Sequence, residues 1–371
     1  MRKKITVSVI SDLTTDQRVI RICSTLHQMG FDVTVIARAY TDSLPLDHYV
    51  FNAKRLKCYF RKGILQYAEF NFKLFWKILS CRTDYFLAND LDVLIPNFII
   101  SRLRNKKLFY DTHEYFTGVP ELRDSPVKKK IWKFFEDRIF PKLTTVYTVN
   151  DSVKNKYQQE YGNTIAVIRN VPLPKKNNLP LSIPENWKDR KILLLQGAGI
   201  NTGRGGVELL EAMKYLSNDY LLLLIGSGTQ WNEILKKRME WNMEEKVEMI
   251  NKLPPAKLQQ YTSVADVGLS LDSFEDLNCL YNLPNKIFDY IQAGLPIIAT
   301  SIPEVKNIID KYECGICIDD NQPSTIATAI KKMIEDKDSY ARFKLNCAIA
   351  ARELTWENES EKLIQIYKPY L

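Results

Sequence analysis

Four short stretches bring together side chains that could do chemistry. Gly199-Ile200-Asn201-Thr202-Gly203-Arg204-Gly205-Gly206 sets four glycines around one arginine. Glycine lets a backbone approach an anion closely, the amides opening a helix favour phosphate, and a guanidinium is a planar, permanently charged fork. The stretch reads as an anion site at Gly203 and Arg204, or as an ordinary glycine turn with an exposed arginine. It is neither a Walker A loop nor a strict G-x-G-x-x-G fingerprint. Leu283-Pro284-Asn285-Lys286-Ile287-Phe288-Asp289-Tyr290 opens a helix at Pro284, with Asp289 one turn after Asn285 on the same face. A lysine in the first turn is unfavourable for the helix itself and hints at an external anion. Lys286 with Asp289 suits a nucleotide's diphosphate and ribose; a capped helix with a surface ion pair is the competing reading. Asp111-Thr112-His113-Glu114 follows an apolar strand, where ligands meet a parallel sheet. His27 and His48 fall in a helix and a loop and read as structural, leaving His113 as the functional candidate against a plain loop histidine. In Ser11-Asp12-Leu13-Thr14-Thr15-Asp16-Gln17-Arg18, Asp16 suits a helix N-cap, and Arg18 either reaches into a cleft or pairs with Asp16.

The elements that must hold these residues follow from hydrophobic periodicity. Near-continuous apolar runs at 5–11, 32–39, 55–60, 83–88, 107–110, 144–149 and 164–168 alternate with helical patterns, among them 16–30, 64–79 and 127–139. That rhythm predicts a parallel sheet covered on both faces. Pro172 to Pro184 breaks it with four prolines and little periodicity, as a linker does. It restarts with strands at 192–196, 220–225, 247–250, 267–271, 296–300 and 315–319, a helix over 324–335, and an amphipathic segment at 356–370. The expected fold is α/β: two doubly wound, Rossmann-like domains facing across a cleft. The expected boundaries are 1–172, a linker at 173–187, 188–352, and a helix at 353–371 that crosses back to the first domain.

These pieces, in this order, resemble a group 1, family 4 glycosyltransferase of the GT-B fold over nearly the whole chain. The resemblance rests on T-D-Q-R-V-I-R at the first helix, Y-D-T-H-E-Y-F, V-I-R-N-V-P at the linker, G-R-G before a helix, L-I-G-S-G, K-L-P-P-A-K-L-Q-Q-Y at 252–261, A-D-V-G-L-S, and P-N-K-I-F-D-Y-I-Q-A-G-L-P. It implies a nucleotide-sugar donor in the second domain. Arg204 and Lys286 would neutralise the diphosphate, Asn285 would assist through its amide, Asp289 would bind the ribose, backbone near Leu253 would hold the base, and Gly226 would line the pocket. The first domain would take a saccharide or lipid-linked acceptor, with His113 near the donor sugar and Asp16, Arg18 and Glu114 as candidate acceptor or cleft residues. The resemblance further implies retention at the anomeric carbon by front-face displacement, with no metal or other cofactor. Two departures stand out. Tyr281 occupies the place of the first member of the family's glutamate pair, and Gly199 stands near the place of an expected arginine. They admit a degenerate sugar-binding protein as an alternative. A nucleotide-sugar 2-epimerase of the same architecture is another, and would draw its acid and base from Asp90, Glu114 or Glu121.

Composition narrows the setting. The 371 residues carry a formal net charge of +8, concentrated in two aromatic segments. Residues 54–82 hold eight basic side chains and one acid, and residues 128–142 hold six and two. Such segments suit an anionic membrane surface or are sheet-covering helices with solvated lysines; no recognised nucleic-acid-binding module is present, so no nucleic-acid partner is expected. Seven irregularly spaced cysteines do not form a disulfide framework, and Cys314-Gly315-Ile316-Cys317 reads as a buried strand. No run of about 18 apolar residues occurs, and the basic, apolar start reads as a first strand. The expected location is cytoplasmic, peripheral on the inner face of the membrane.

Overall fold

The computed structural model of the chain describes residues 2–41, 43–46, 48–119, 122, 125–174, 181–274 and 277–371. It divides into two compact units, Met1–Asn170 with Glu357–Leu371, and Val171–Trp356.

Unit 1 is built on seven parallel strands, β1 (Lys4–Ser8), β2 (Asp32–Ala39), β3 (Asn52–Lys57), β4 (Tyr85–Asn89), β5 (Lys107–Thr112), β6 (Val146–Thr148) and β7 (Ile165–Val167), in the order β3-β2-β1-β4-β5-β6-β7. Its described helices before residue 170 include α1 (Gln17–Gln28), α2 (Gly63–Leu79), α3 (Leu94–Leu103), α4 (Pro126–Ile139) and α5 (Asp151–Tyr161). The Asp16 carboxylate accepts from the Val19 amide at 3.1 Å and caps α1 as expected. Strand β3 lies three residues earlier than the apolar pattern predicts, for a local reason. The Glu69 carboxylate of α2 accepts from the amides of Tyr59 and Phe60 at 2.8 and 2.9 Å, and so takes both residues out of the ladder.

Unit 2 has six parallel strands, β8 (Lys191–Gly197), β9 (Tyr220–Gly226), β10 (Val247–Asn251), β11 (Val267–Ser270), β12 (Ile297–Thr300) and β13 (Gly315–Ile318), in the order β10-β9-β8-β11-β12-β13. Its helices include α6 (Gly206–Ala212), α7 (Trp231–Glu240), α8 (Pro255–Val264), α9 (Leu277–Leu280), α10 (Asn285–Gln292), α11 (Pro303–Tyr312), α12 (Pro323–Glu335) and α13 (Lys337–Glu353). The core is aliphatic: Leu193, Leu195, Leu222, Leu224 and Leu269 pack with Leu209, Ile326 and Ile330 at 0–2% exposure. Cys314 is buried at the edge of β13, with the Cys347 thiol 3.6 Å from its carbonyl. Of the expected linker, residues 175–180 lie outside the described residues, and Glu185–Trp187 forms one 3-10 turn.

Both sheets have a switch point, where chain connections leave to opposite sides: between β1 and β4 in unit 1, and between β8 and β11 in unit 2. Ligands of open α/β sheets bind at such points, outside the carboxyl ends of the strands.

From Glu357 the chain is again part of unit 1, through α14 (Trp356–Tyr367). Tyr367 is fully buried there. Its ring stacks on Phe109 at 4.3 Å and its hydroxyl lies 3.1 Å from that of Tyr147. The Glu359 carboxylate accepts from the Arg169 amide at 2.9 Å.

Candidate functional site

In unit 2 the candidate residues meet at the switch point. The glycine loop leaves β8, and Gly205 is held at φ +75°; a Cβ there would lie 2.3 Å from Leu271 Cβ and 2.5 Å from its carbonyl oxygen. Only glycine lets the loop press this closely onto the end of β11. The Gly203 carbonyl accepts from the Ser273 amide at 2.8 Å. This contact brings Arg204 to Asp272: Nη1 donates to Oδ2 at 3.0 Å. Lys286 Nζ stands 3.8 Å from Asp272 Oδ1, an ion pair too long for a hydrogen bond. Asp272 is completely buried, and its carbonyl accepts from Thr300 Oγ1 at 2.7 Å. Burial lowers the Lys286 pKa, Asp272 opposes that, and Arg204 adds to it. Two cations therefore share one buried carboxylate.

Helix α10 carries Lys286 and Asp289, and Tyr290 fixes it to the sheet. The fully buried Tyr290 ring occupies the space that a side chain at Gly268 of β11 would need. Its hydroxyl bonds with the carbonyls of Leu194 and Leu269 and with the Gln196 amide at 3.1–3.3 Å. Pro284 stands at the cap of α10 and supplies no side-chain acceptor. Asp289 accepts from Gln196 Nε2 at 3.1 Å, and Gln196 accepts in turn from Thr262 Oγ1 at 2.7 Å. These three residues line an open pocket with Pro172, Pro255 and Leu258, where α8 and α10 approach. Leu253 precedes α8 and is partly buried. Gly226 ends β9, where a Cβ would sit 1.9 Å from the Gly197 carbonyl oxygen; the structure gives it a role in strand packing.

In unit 1 a second charged cluster lies at the ends of β4 and β5. Arg18 is 3% exposed and points to Asp111, with Nε and Nη2 donating to its two oxygens at 2.9 and 2.7 Å. Nη1 donates to the Ile168 carbonyl at 2.6 Å. Arg18 therefore does not pair with Asp16, because a buried carboxylate across the sheet offers it a bidentate partner. Asp111 also meets His113 Nε2 at 3.1 Å. Asp90 lies 3.1 Å from His113 Nδ1 and accepts from the His113 amide at 2.7 Å. Asp90 holds a left-handed φ of +65°, a strained conformation for this residue. Burial works against a charged imidazole, but Asp90 and Asp111 outweigh it and raise the His113 pKa to about 10. At neutral pH both ring nitrogens carry protons and face carboxylates. His113 is then a charged donor and not a proton acceptor. Asp92, two residues beyond Asp90, is 8% exposed, and its Oδ1 has no hydrogen-bond partner among the described residues. Asp16 bonds to Ser11 Oγ and the Val19 amide, which fixes it as a cap. Glu114 is partly buried, and its carbonyl accepts from Thr112 Oγ1 at 2.9 Å. Glu121 lies outside the described residues.

Sequence reading missed Asp272, Asp111 in its pairing with Arg18, and Gln196. Each is a polar residue at the carboxyl end of an apolar strand, and that position was the available signal.

Residues 182–348 match the group 1 glycosyl transferases, and residues 16–171 match glycosyltransferase family 4. The chain belongs to the group 1, family 4 glycosyltransferases. A D-inositol 3-phosphate glycosyltransferase from Corynebacterium urealyticum is 23% identical to this chain over 144 residues, 38% of the chain and 32% of the relative's length. The chain therefore spans about a third of that curated relative. Among solved structures, a sucrose-phosphate synthase from Thermosynechococcus elongatus superimposes with a TM-score of 0.81 at 16% identity, covering 99% of both chains. The Anabaena protein Alr3699/HepE, in complex with UDP and glucose, gives 0.76 at 14% identity over 99% of this chain and 100% of its own. These likenesses establish the two-domain GT-B fold for this chain.

Proposed function

We propose that the protein transfers a sugar from a nucleotide-sugar donor, held by unit 2, to a saccharide or lipid-linked saccharide acceptor taken by unit 1. The observation that carries the reading is the joint hold of buried Asp272 on Arg204 and Lys286 at the switch point of unit 2, close to the pocket that Asp289 lines. Two fixed cations suit a diphosphate, and a carboxylate in a neighbouring pocket suits ribose hydroxyls. The UDP and glucose bound by the Anabaena protein support a nucleotide sugar as donor.

In this reading the bond from the anomeric carbon to the diphosphate oxygen breaks while the acceptor oxygen bonds to the same face. The acceptor proton passes to the departing diphosphate, so the anomeric configuration is retained. Arg204 and Lys286 stabilise the negative charge as it builds on the leaving group. Among the described residues, Asp272 meets the two cations and Asp289 accepts from Gln196, which favours the diphosphate as base over a carboxylate nucleophile. His113, with both ring nitrogens facing carboxylates, does not take the proton. These side chains can meet a diphosphate without a metal. A surface polysaccharide is the product class we infer.

The test is nucleotide release from UDP-, GDP- and dTDP-sugars with and without a membrane extract. Acceptor-dependent release is expected. Lys286→Ala should abolish it while leaving the thermal melt in place, and retained turnover would remove Lys286 from the site. Isomerised sugar without acceptor would replace transfer by epimerisation, and failure of every nucleotide sugar to bind would sink both.

A further inference from the structure

We propose that helices α2, α3 and α4 of unit 1 form one face that docks on an anionic bilayer. Helix α2 has 17 residues but buries only Phe70, Leu74 and Ile78. Several of its other large apolar side chains turn outward: Leu65, Phe72 and Trp76 are 57%, 65% and 56% exposed. A helix this apolar on its outer side normally lies inside a core. Its neighbours repeat the pattern. Leu103 of α3 is 70% exposed, and Val127 and Phe134 of α4 are 67% and 47% exposed. The three helices are contiguous, because α3 packs against both others, and Tyr67 of α2 meets Trp132 of α4 edge to face at 5.4 Å.

Charge identifies the occupant. Lys54, Lys57, Arg61 and Lys62 are exposed beside α2, and Lys129 and Lys130 are exposed on α4. Glu69, the single acid of residues 54–82, is spent within the unit on Lys73 at 2.6 Å and on the amides of Tyr59 and Phe60. A protein partner would desolvate these lysines, and lysine is depleted from protein interfaces. A bilayer surface lets aromatic rings enter the acyl boundary while lysine stems lie along apolar surface and their heads reach lipid phosphates. A hollow between β3 and α2, bordered by Lys57, Lys77, Phe72 and Trp76, joins both chemistries in one place. Docking is independent of the sugar-transfer reading, though it would bring a lipid-linked acceptor to this unit.

The test is co-sedimentation of the full chain with phosphatidylcholine vesicles and with vesicles of equal parts phosphatidylcholine and phosphatidylglycerol. Binding to the anionic vesicles should exceed binding to the neutral ones by about tenfold or more and fall with added salt. Phe72→Ser with Trp76→Ser should lower it by about tenfold with an unchanged thermal melt. Lys54, Lys57, Arg61 and Lys62 changed together to glutamine should remove the preference for anionic lipid. Absence of binding, equal binding to both vesicles, or full binding by the serine double variant would overturn the proposal. A dimer in light scattering that the double variant breaks would also overturn it and assign the face to a second copy. Nucleotide release in vesicle-free buffer should be the same for wild type and double variant. Vesicle binding without any such release would leave docking intact and defeat only the transfer reading.

Discussion

At neutral pH His113 already holds both ring protons, since Asp90 and Asp111 raise its pKa to about 10. The folded value exceeds the unfolded value of about 6.5. Its contribution to stability is therefore complete below about pH 6.5 and is lost as pH rises through 10. Urea melts of the wild type should show this loss, and His113→Gln should flatten it, at a cost of about 3 kcal/mol at pH 6 because Asp90 loses its ion-pair partner and Asp111 keeps only Arg18. Asp272 has the corresponding role in unit 2. Asp272→Asn keeps the shape but removes the charge that holds Arg204, and nucleotide-sugar kcat/KM should drop by about 10- to 100-fold, the worth of a charge-assisted hydrogen bond. A wild-type value would remove Asp272 from the positioning of the cations. Both partnerships escaped sequence reading for one reason. Arg18 and Asp111 are 93 positions apart, and Arg204 and Asp272 are 68 apart. Local spacing offered Asp16 to Arg18, whereas folding offered a buried acid with two lone-pair edges in the plane of the guanidinium. Lys286 and Asp289 were legible because one helical turn carries both.

At the scale of elements, the thirteen strands among the described residues were legible because parallel strands buried on both faces must be apolar nearly throughout. Strand β3 is the exception at an edge, where the Glu69 carboxylate and not a neighbouring strand decides where pairing stops. Helix α13 (Lys337–Glu353) had no assignment in the sequence reading; it buries only Phe343, Cys347 and Ala350, too few apolar positions to mark a face. Helix α2 shows the difference between apolar and buried most directly. Leu74→Ala should cost about 2–5 kcal/mol in chemical denaturation, because it empties a filled core position. Phe72→Ala, two residues away and 65% exposed, should stay within about 0.5 kcal/mol of wild type. Equal losses at the two positions would contradict the face assignment.

At the scale of the whole molecule, α14 contributes Tyr367 to the core of unit 1, against Phe109 and Tyr147. Removing residues 357–371 should lower the unfolding midpoint of unit 1 by several degrees or more while leaving that of unit 2 in place, as read by proteolysis of each unit during heating. A uniform shift of both would show that the segment serves the chain at large. The same connectivity has a consequence for synthesis on the ribosome. Residues 171–356 emerge as an uninterrupted stretch that holds all of unit 2, whereas unit 1 awaits a segment translated after unit 2. The later-translated unit can therefore finish first, and the nascent amino-terminal half, lacking the aromatic plug beneath β5, is the portion that would engage a chaperone while translation proceeds.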